Sequence, residues 1–284
     1  MNYYPEYFQP VNLTDLARLP SEKKIYFLAG GTDLFCYLRD GLIETENSIF
    51  VDVARLQELS GIAEEENHLR IGAGVTFAEI STNSLIKKWA PVLAIAANTI
   101  GTPQIRNRAT IGGNIANASP AGDSLPALAV QEAELELNKF GQKRIVKLLD
   151  IFIGPKKTNL ANGELITAVR IPKKNGWKGN FQKIGGRRSH IISKASIAVY
   201  LRTENSVIKD INIALGAVAP TVVLATSAAR VLIDQPINQN TIQKAIAALA
   251  EVARPVDDFR SSAAYRQRVL GALFRQVLSS LVTF

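Results

Sequence analysis

Residues 99–123 read TIGTPQIRNRATIGGNIANASPAGD, and at their centre lies Thr110-Ile111-Gly112-Gly113-Asn114. The segment combines paired glycines with asparagines and small residues, and we expect Ile105, Ile111 and Ile115 to anchor it in a core. Because glycine has no Cβ, the backbone N–H groups of such a turn can approach a ligand closely, and converging N–H groups bind anions. A tightly packed structural loop explains the segment equally well when it is taken alone, since glycine turns are common.

A second glycine pair lies near the N-terminus, in the sequence IYFLAGGTDL of residues 25–34. Its apolar first half predicts a strand, and Thr32 or Asp33 is placed to cap the helix that follows. A strand, a glycine turn and a helix N-terminus together form an anion site. Two such sites suit a ligand with two phosphates, although the spacing fits neither G-x-G-x-x-G nor a Walker A sequence.

Together, the two glycine segments resemble the FAD-binding (medium) subunit of the molybdenum hydroxylases, the family of xanthine dehydrogenase, aldehyde oxidase and carbon monoxide dehydrogenase. The resemblance spans nearly the whole chain, and its central motif is highly specific. It is carried, in chain order, by residues 29–33 (AGGTD), 105–114 (IRNRATIGGN), 119–123 (SPAGD), 214–221 (ALGAVAPT) and Tyr265-Arg266.

The resemblance implies an α+β fold. It consists of a vanillyl-alcohol-oxidase-type FAD-binding domain of two α/β subdomains, followed by a C-terminal α+β domain. A cluster of Pro, Lys, Asn and Gly at residues 172–179 indicates the boundary. We therefore expect the FAD-binding domain at residues 1–174, with subdomains at about 1–56 and 57–174, and the C-terminal domain at 175–284. A chain of 284 residues is long enough for two domains.

The resemblance also implies which residues contact FAD, with no catalytic side chain and no metal ligand among them. The residues implied to contact the pyrophosphate and its neighbouring atoms are Phe27, Leu28, Ala29, Gly30, Gly31, Thr32, Asp33 and Leu34, with Thr110, Gly113 and Asn114 on the opposite side. By the same resemblance, Asp123 contacts hydroxyls and Ile166 packs near the adenine. Ile100 and Lys183 are implied to lie at the flavin.

Local patterns predict the remaining elements. Alternation predicts a hairpin over residues 61–75, after which Thr76 and Glu79 form a capping box for a helix that continues to about Ile100. Asp123 is placed to cap the next helix, which has Pro126 early in its first turn. Further predictions are a hairpin around Gly141, a strand over 163–172, a strand over 181–184, an exposed basic loop over 185–190, a hairpin around 204–206 and two C-terminal helices.

Composition narrows the class of protein. The net charge of +8 comes from scattered Lys and Arg doublets, which argues against a nucleic-acid-binding arm. No apolar run is long enough for a membrane span, and no signal peptide is visible. Cys36 is the single cysteine, so the chain cannot form an internal disulfide, and we expect this side chain in the core. These features favour a cytoplasmic protein.

The resulting hypothesis is an electron-transfer subunit that passes electrons from iron–sulfur clusters to FAD and on to an external acceptor such as NAD. The resemblance implies a large subunit with a molybdopterin cofactor and a small subunit with [2Fe–2S] clusters as partners. No acid–base or nucleophile motif is visible, which suits a protein whose flavin does the chemistry. Two alternatives stay open: a free-standing FAD-dependent oxidoreductase acting directly on a small substrate, and a flavin-free interaction or nucleic-acid protein.

Overall fold

The structure is a computed structural model that describes residues 6–186 and 192–282. Its strands are β1 (Glu6–Phe8), β2 (Lys24–Leu28), β3 (Ser48–Asp52), β4 (Ile62–Glu64), β5 (His68–Gly72), β6 (Glu134–Lys139), β7 (Gln142–Lys147), β8 (Phe152–Gly154), β9 (Lys157–Thr158), β10 (Glu164–Pro172), β11 (Trp177–Gly185), β12 (Ser193–Glu204), β13 (Val207–Gly216) and β14 (Val223–Leu224). Its α-helices are α1 (Leu34–Arg39), α2 (Phe77–Thr82), α3 (Ser84–Trp89), α4 (Pro91–Thr99), α5 (Pro103–Arg106), α6 (Ile111–Asn117), α7 (Ser124–Val130), α8 (Thr226–Leu232), α9 (Gln239–Val252) and α10 (Ala263–Leu281). This mixture of helices and strands confirms the α+β class.

The first sheet is parallel, with its strands in the order β1-β3-β2. The predicted strand, glycine turn and helix are present: β2 ends at Leu28, the turn follows, and α1 begins at Leu34. Parallel neighbours require such a crossover between them. The turn at residues 29–33 therefore lies at the carboxyl edge of the sheet, where ligands bind in many α/β proteins.

The second sheet is antiparallel, in the order β4-β5-β10-β6-β7. It contains the predicted hairpin of β4 and β5, and the capping box is confirmed by a 2.9 Å bond from the Thr76 N–H to the Glu79 carboxylate. The long helix predicted after it is wrong. The chain forms α2, α3 and α4 instead, because Asn83 caps a new helix and Pro91 starts another.

The third sheet is antiparallel, in the order β11-β12-β13-β14, and it is covered on both faces. Helix α10 packs on one face, while α4 and α7 pack on the other. As a result, Phe181 and Tyr200 share one hydrophobic core with Leu93 and Leu128. This core runs across the expected boundary at residue 174, and the division into domains stays a prediction.

The turn before α10 is tied to the third sheet through the Tyr265-Arg266 motif. Arg266 is buried, and its guanidinium lies 2.6 Å from the Asp258 carboxylate and 2.9 Å from the Ala217 carbonyl. Burial alone would raise the pKa of Asp258, but hydrogen bonds from Arg266 and the Arg260 backbone outweigh it and lower this pKa to about 2.

Three local expectations have other outcomes. Cys36 is exposed, not buried, because α1 runs along the surface with none of its residues in the core. Ile105 is also exposed, whereas Ile111 and Ile115 are fully buried as expected. The basic loop was predicted over residues 185–190, and its positions 187–190 lie outside the described residues. In the part of the chain that the structure describes, no helix is long and apolar enough to span a membrane.

Candidate functional site

A cleft of about 290 Å³ lies between the carboxyl edge of the first sheet, the start of α6 and strand β10. Most of the expected site residues line it: Phe27, Ala29, Gly30, Gly31, Thr32, Asp33, Leu34, Thr110, Gly113, Asn114 and Ile166. Leu28, Ile100, Asp123 and Lys183 do not line it. The two glycine segments, about 80 residues apart in sequence, therefore form opposite walls of one cavity.

The four glycines of these segments have different roles. A Cβ on Gly30 would lie 2.0 Å from the Arg108 carbonyl oxygen, so Gly30 lets the two walls touch each other. A Cβ on Gly112 would lie 2.6 Å from the Ala73 Cβ, which again is a contact within the protein. Gly31 has a φ of +73°, which L-residues rarely adopt. Gly113 is the most exposed of the four, and a Cβ on it would lie 3.0 Å from its own capping hydroxyl on Thr110.

The first glycine turn offers free hydrogen-bond donors. Within residues 6–186 and 192–282, the backbone N–H groups of residues 30–34 donate to no protein acceptor. Five N–H groups in succession at a turn that leads into a helix favour an anionic ligand. The predicted side-chain cap is wrong here: Asp33 has a helical backbone and its carboxylate makes no capping bond.

The second glycine segment offers far fewer donors than the sequence suggests. The N–H groups of Ile111 and Gly112 donate to the Val75 and Ala73 carbonyls at 3.0 and 2.9 Å. The N–H of Gly113 donates to the Thr110 hydroxyl at 3.2 Å, and that of Asn114 to the Thr110 carbonyl at 3.0 Å. The expectation of two equivalent anion sites is therefore wrong, because this segment provides a shaped wall and the first turn provides the donors.

One buried carboxylate lines the cleft without a signal in the sequence. Glu164 accepts two bonds from the Arg144 guanidinium, at 2.7 and 2.8 Å, in a bidentate pair. The hydrogen bond from Arg144 lowers the pKa of Glu164, so the carboxylate stays ionised with its charge offset. The two residues lie on β7 and β10, which are separated by β6, and no local pattern connects them.

Asp123 and Lys183 form a second, fully enclosed cluster. The Lys183 ammonium lies 2.5 Å from the Asp123 carboxylate and 2.8 Å from the Thr99 carbonyl, and the Ser193 hydroxyl donates to Asp123 at 2.6 Å. Burial raises the pKa of Asp123, against the opposing effects of Lys183 and Ser193. The predicted helix cap at Asp123 is wrong, because its carboxylate makes these bonds instead.

This cluster fixes the position of Ile100, which follows Thr99 at the end of α4. The Ile100 carbonyl accepts a bond of 3.0 Å from the Arg106 guanidinium. Two side-chain cations therefore bind consecutive backbone carbonyls. Lys183 of the third sheet binds that of Thr99, and Arg106 of α5 binds that of Ile100. The described residues contain no group of three His, Cys, Asp or Glu side chains placed to hold a metal ion.

Comparison with known protein families identifies the family of this chain. A family model described as the FAD binding domain in molybdopterin dehydrogenase matches residues 2–174. The chain belongs to this family. A second model, the C-terminal domain of the carbon monoxide dehydrogenase flavoprotein, matches residues 181–281. The protein is thus an FAD-binding medium subunit of the molybdenum hydroxylase family, and its cofactor is FAD.

Individual relatives are similar to this chain over most of their own length. The chain is 32% identical to the glyceraldehyde dehydrogenase medium chain of Sulfolobus acidocaldarius, covering 87% of this chain and 86% of that one. It is 29% identical to the xanthine dehydrogenase FAD-binding subunit of Escherichia coli O157:H7, covering 98% and 96%. A solved carbon monoxide dehydrogenase from Hydrogenophaga pseudoflava superposes with a TM-score of 0.91 at 29% identity, covering 97% and 96%. The chain is accordingly an oxidoreductase subunit.

The cleft combines hydrogen-bond donors with apolar surface. Its free N–H groups suit the negative charge of a diphosphate, while Phe27, Ile166 and Leu160 provide apolar surface for rings. Sequence reasoning missed several other lining residues, among them Tyr37, Asn117 and Glu164. Tyr37 lies one helical turn beyond the first glycine turn, so an amphipathic reading of α1 could have included it.

Proposed function

We propose that this subunit passes electrons from iron–sulfur clusters to FAD and on to an external acceptor such as NAD. The bound flavin supplies the redox chemistry, and the protein holds and orients it. An iron–sulfur cluster usually takes four cysteine ligands, and this chain has only Cys36. The clusters therefore belong to a partner, which we propose is a small [2Fe–2S] subunit beside a large molybdopterin subunit in the cytoplasm.

Membership of the family, together with the glycine turn that has five free N–H groups, carries this proposal. We assign the diphosphate of FAD to residues 27–34, with Thr110, Gly113 and Asn114 on the opposite wall and Ile166 against the adenine. Asp123, Lys183 and Ile100 belong to the flavin end in this assignment. The names of relatives support a complex, since several are medium chains or FAD subunits and one is a subunit alpha of a dehydrogenase complex.

Affinity purification of the chain from its native cell tests the proposal. We expect two further chains to be recovered with it, together with iron and molybdenum. The isolated chain should be yellow, with the absorbance of an oxidised flavin near roughly 450 nm. It should oxidise NADH with an artificial dye but should not hydroxylate a purine, an aldehyde or carbon monoxide.

The alternatives give different results in the same experiment. An active hydroxylase made of this chain alone, without iron or molybdenum, would identify a free-standing FAD-dependent oxidoreductase. Recovery of the complex without any transfer of electrons to NAD would leave the subunit role intact and would replace NAD by another acceptor.

A further inference from the structure

We propose that Tyr37, Asn117 and Lys156 form a phosphate clamp at the FAD cleft, a group that discriminates phosphorylated flavins from riboflavin. The clamp rests on the proposed placement of the FAD diphosphate at the first glycine turn. It consists of a hydrogen bond between Tyr37 and Asn117, which joins the two walls of the cleft, and the Lys156 ammonium, which lies on the Tyr37 ring.

The hydrogen bond links the helices that follow the two glycine segments. Tyr37 in α1 donates its hydroxyl to the side-chain oxygen of Asn117 in α6 at 2.7 Å. Both residues line the cleft and are half-buried. Because α1 has no buried residue, core packing does not fix it against α6, and this bond ties the two helices together directly. The bond therefore sets the width of the cleft on the side of the free N–H groups.

The cation is placed by an unusual backbone. Lys156 has a φ of +56°, and its N–H donates to the Ala118 carbonyl at 2.9 Å, directly after the end of α6. Left-handed backbone at a non-glycine residue is uncommon and requires support from its surroundings. The anchored loop brings the Lys156 ammonium to 4.7 Å from the centre of the Tyr37 ring, a cation–π distance.

Local charges leave this ammonium free to act on an anion in the cleft. No carboxylate of the described residues lies within 4.0 Å of the Lys156 ammonium. Glu164, the buried carboxylate of the cleft, is already paired with Arg144. Lys156 does not line the cleft itself, but its ammonium lies on the ring of Tyr37, which does. A cation next to the wall of a cleft raises the local potential for a negatively charged ligand. The diphosphate of a dinucleotide fits this potential, whereas riboflavin has no charge to be attracted.

Flavin binding to the full-length chain, after removal of its FAD, tests the clamp. We expect Lys156→Met to weaken FAD by about threefold to fivefold, the size of one exposed charge interaction, and to leave riboflavin unchanged. The matched control is Lys157→Met, since Lys157 is the neighbouring exposed lysine and contacts no aromatic ring of the described residues. High salt should remove the difference between wild type and Lys156→Met, because it screens exposed charges.

A double variant tests whether Lys156 depends on its contact with the Tyr37 ring. If Lys156 acts from the Tyr37 ring, combining Lys156→Met with Tyr37→Leu should weaken FAD no more than the stronger single variant. The clamp is overturned if Lys156→Met and Lys157→Met bind FAD equally, or if Lys156→Met weakens riboflavin as much as FAD. Failure of the wild-type chain to bind FAD at all would instead refute the cofactor site on which the clamp rests.

Discussion

Replacing Gly30 with alanine should separate structural from ligand-binding glycines. The added Cβ would lie 2.0 Å from the Arg108 carbonyl oxygen and 2.7 Å from its carbon, both backbone atoms. Real Cβ contacts under 3.0 Å are essentially never seen, so the two walls would have to separate by at least about 1 Å. Overpacking of this kind costs about 1–3 kcal/mol, which lowers the melting temperature of a chain of this size by roughly 2–5 °C.

The matched variant is Gly113→Ala in the other wall. Its Cβ would meet only the Thr110 hydroxyl among the described residues, at 3.0 Å, and Gly113 is an exposed residue that lines the cleft. Because alanine favours a helix over glycine by up to about 1 kcal/mol, the melting temperature of Gly113→Ala should be unchanged or higher. Its affinity for FAD should fall about tenfold, because a methyl group that crowds the bound cofactor costs about 1.4 kcal/mol, within the usual range for overpacking.

Thermal unfolding of the FAD-free chain and titration with FAD measure these two effects separately. The reasoning is refuted if Gly30→Ala has the same melting temperature as the wild type, since the two walls would then not be in contact at this residue. It is equally refuted if Gly113→Ala binds FAD as tightly as wild type. A loss of both properties in both variants would mean that the glycines cannot be assigned separate roles.

Three further predictions follow from the ion pairs. Arg144→Met should weaken FAD by about fivefold, because it leaves the Glu164 charge in the cleft, and adding Glu164→Gln should restore binding in the same titration. Lys183→Met should lower the free energy of unfolding in urea by about 3–5 kcal/mol, and adding Asp123→Asn should recover much of that loss. Asp258→Asn should be destabilising at pH 7. Because the lowered pKa of Asp258 stabilises the fold above pH 3.8, the difference from wild type should shrink between pH 3.8 and about 2, and a constant difference would contradict the assignment.

The parts of the fold that sequence predicted correctly are governed by neighbours in the chain. The strand and turn at residues 25–34, the hairpin of β4 and β5, and the capping box of Thr76 depend on residues a few positions apart. Their hydrogen-bond partners are fixed by local geometry, and pattern reasoning is suited to such cases.

The errors arise where a distant residue takes a group that local reasoning had already assigned. Asp123 has a cap position but bonds to Lys183, which lies 60 residues further along the chain. The paired glycines at Gly112 and Gly113 were expected to offer N–H groups to a ligand, but the Gly112 N–H donates to the Ala73 carbonyl in the segment before α2. Gly30 was predicted as a ligand contact and lines the cleft, but its missing Cβ also makes room for the Arg108 carbonyl, which no pattern in the sequence indicated. Tertiary contacts of this kind have no periodic signature.

The enclosed cluster of Asp123, Lys183 and Ser193 limits how freely this protein can be recombined. Its carboxylate comes from the first 174 residues, whereas its ammonium and hydroxyl come from strands β11 and β12. Truncation after residue 174 would strand a carboxylate in an apolar surface with nothing to offset its charge. In a chimera, the C-terminal part taken from another protein would have to place a lysine and a hydroxyl at the positions of Lys183 and Ser193. Neither part of the chain can therefore be replaced by that of another protein without replacing the other part as well.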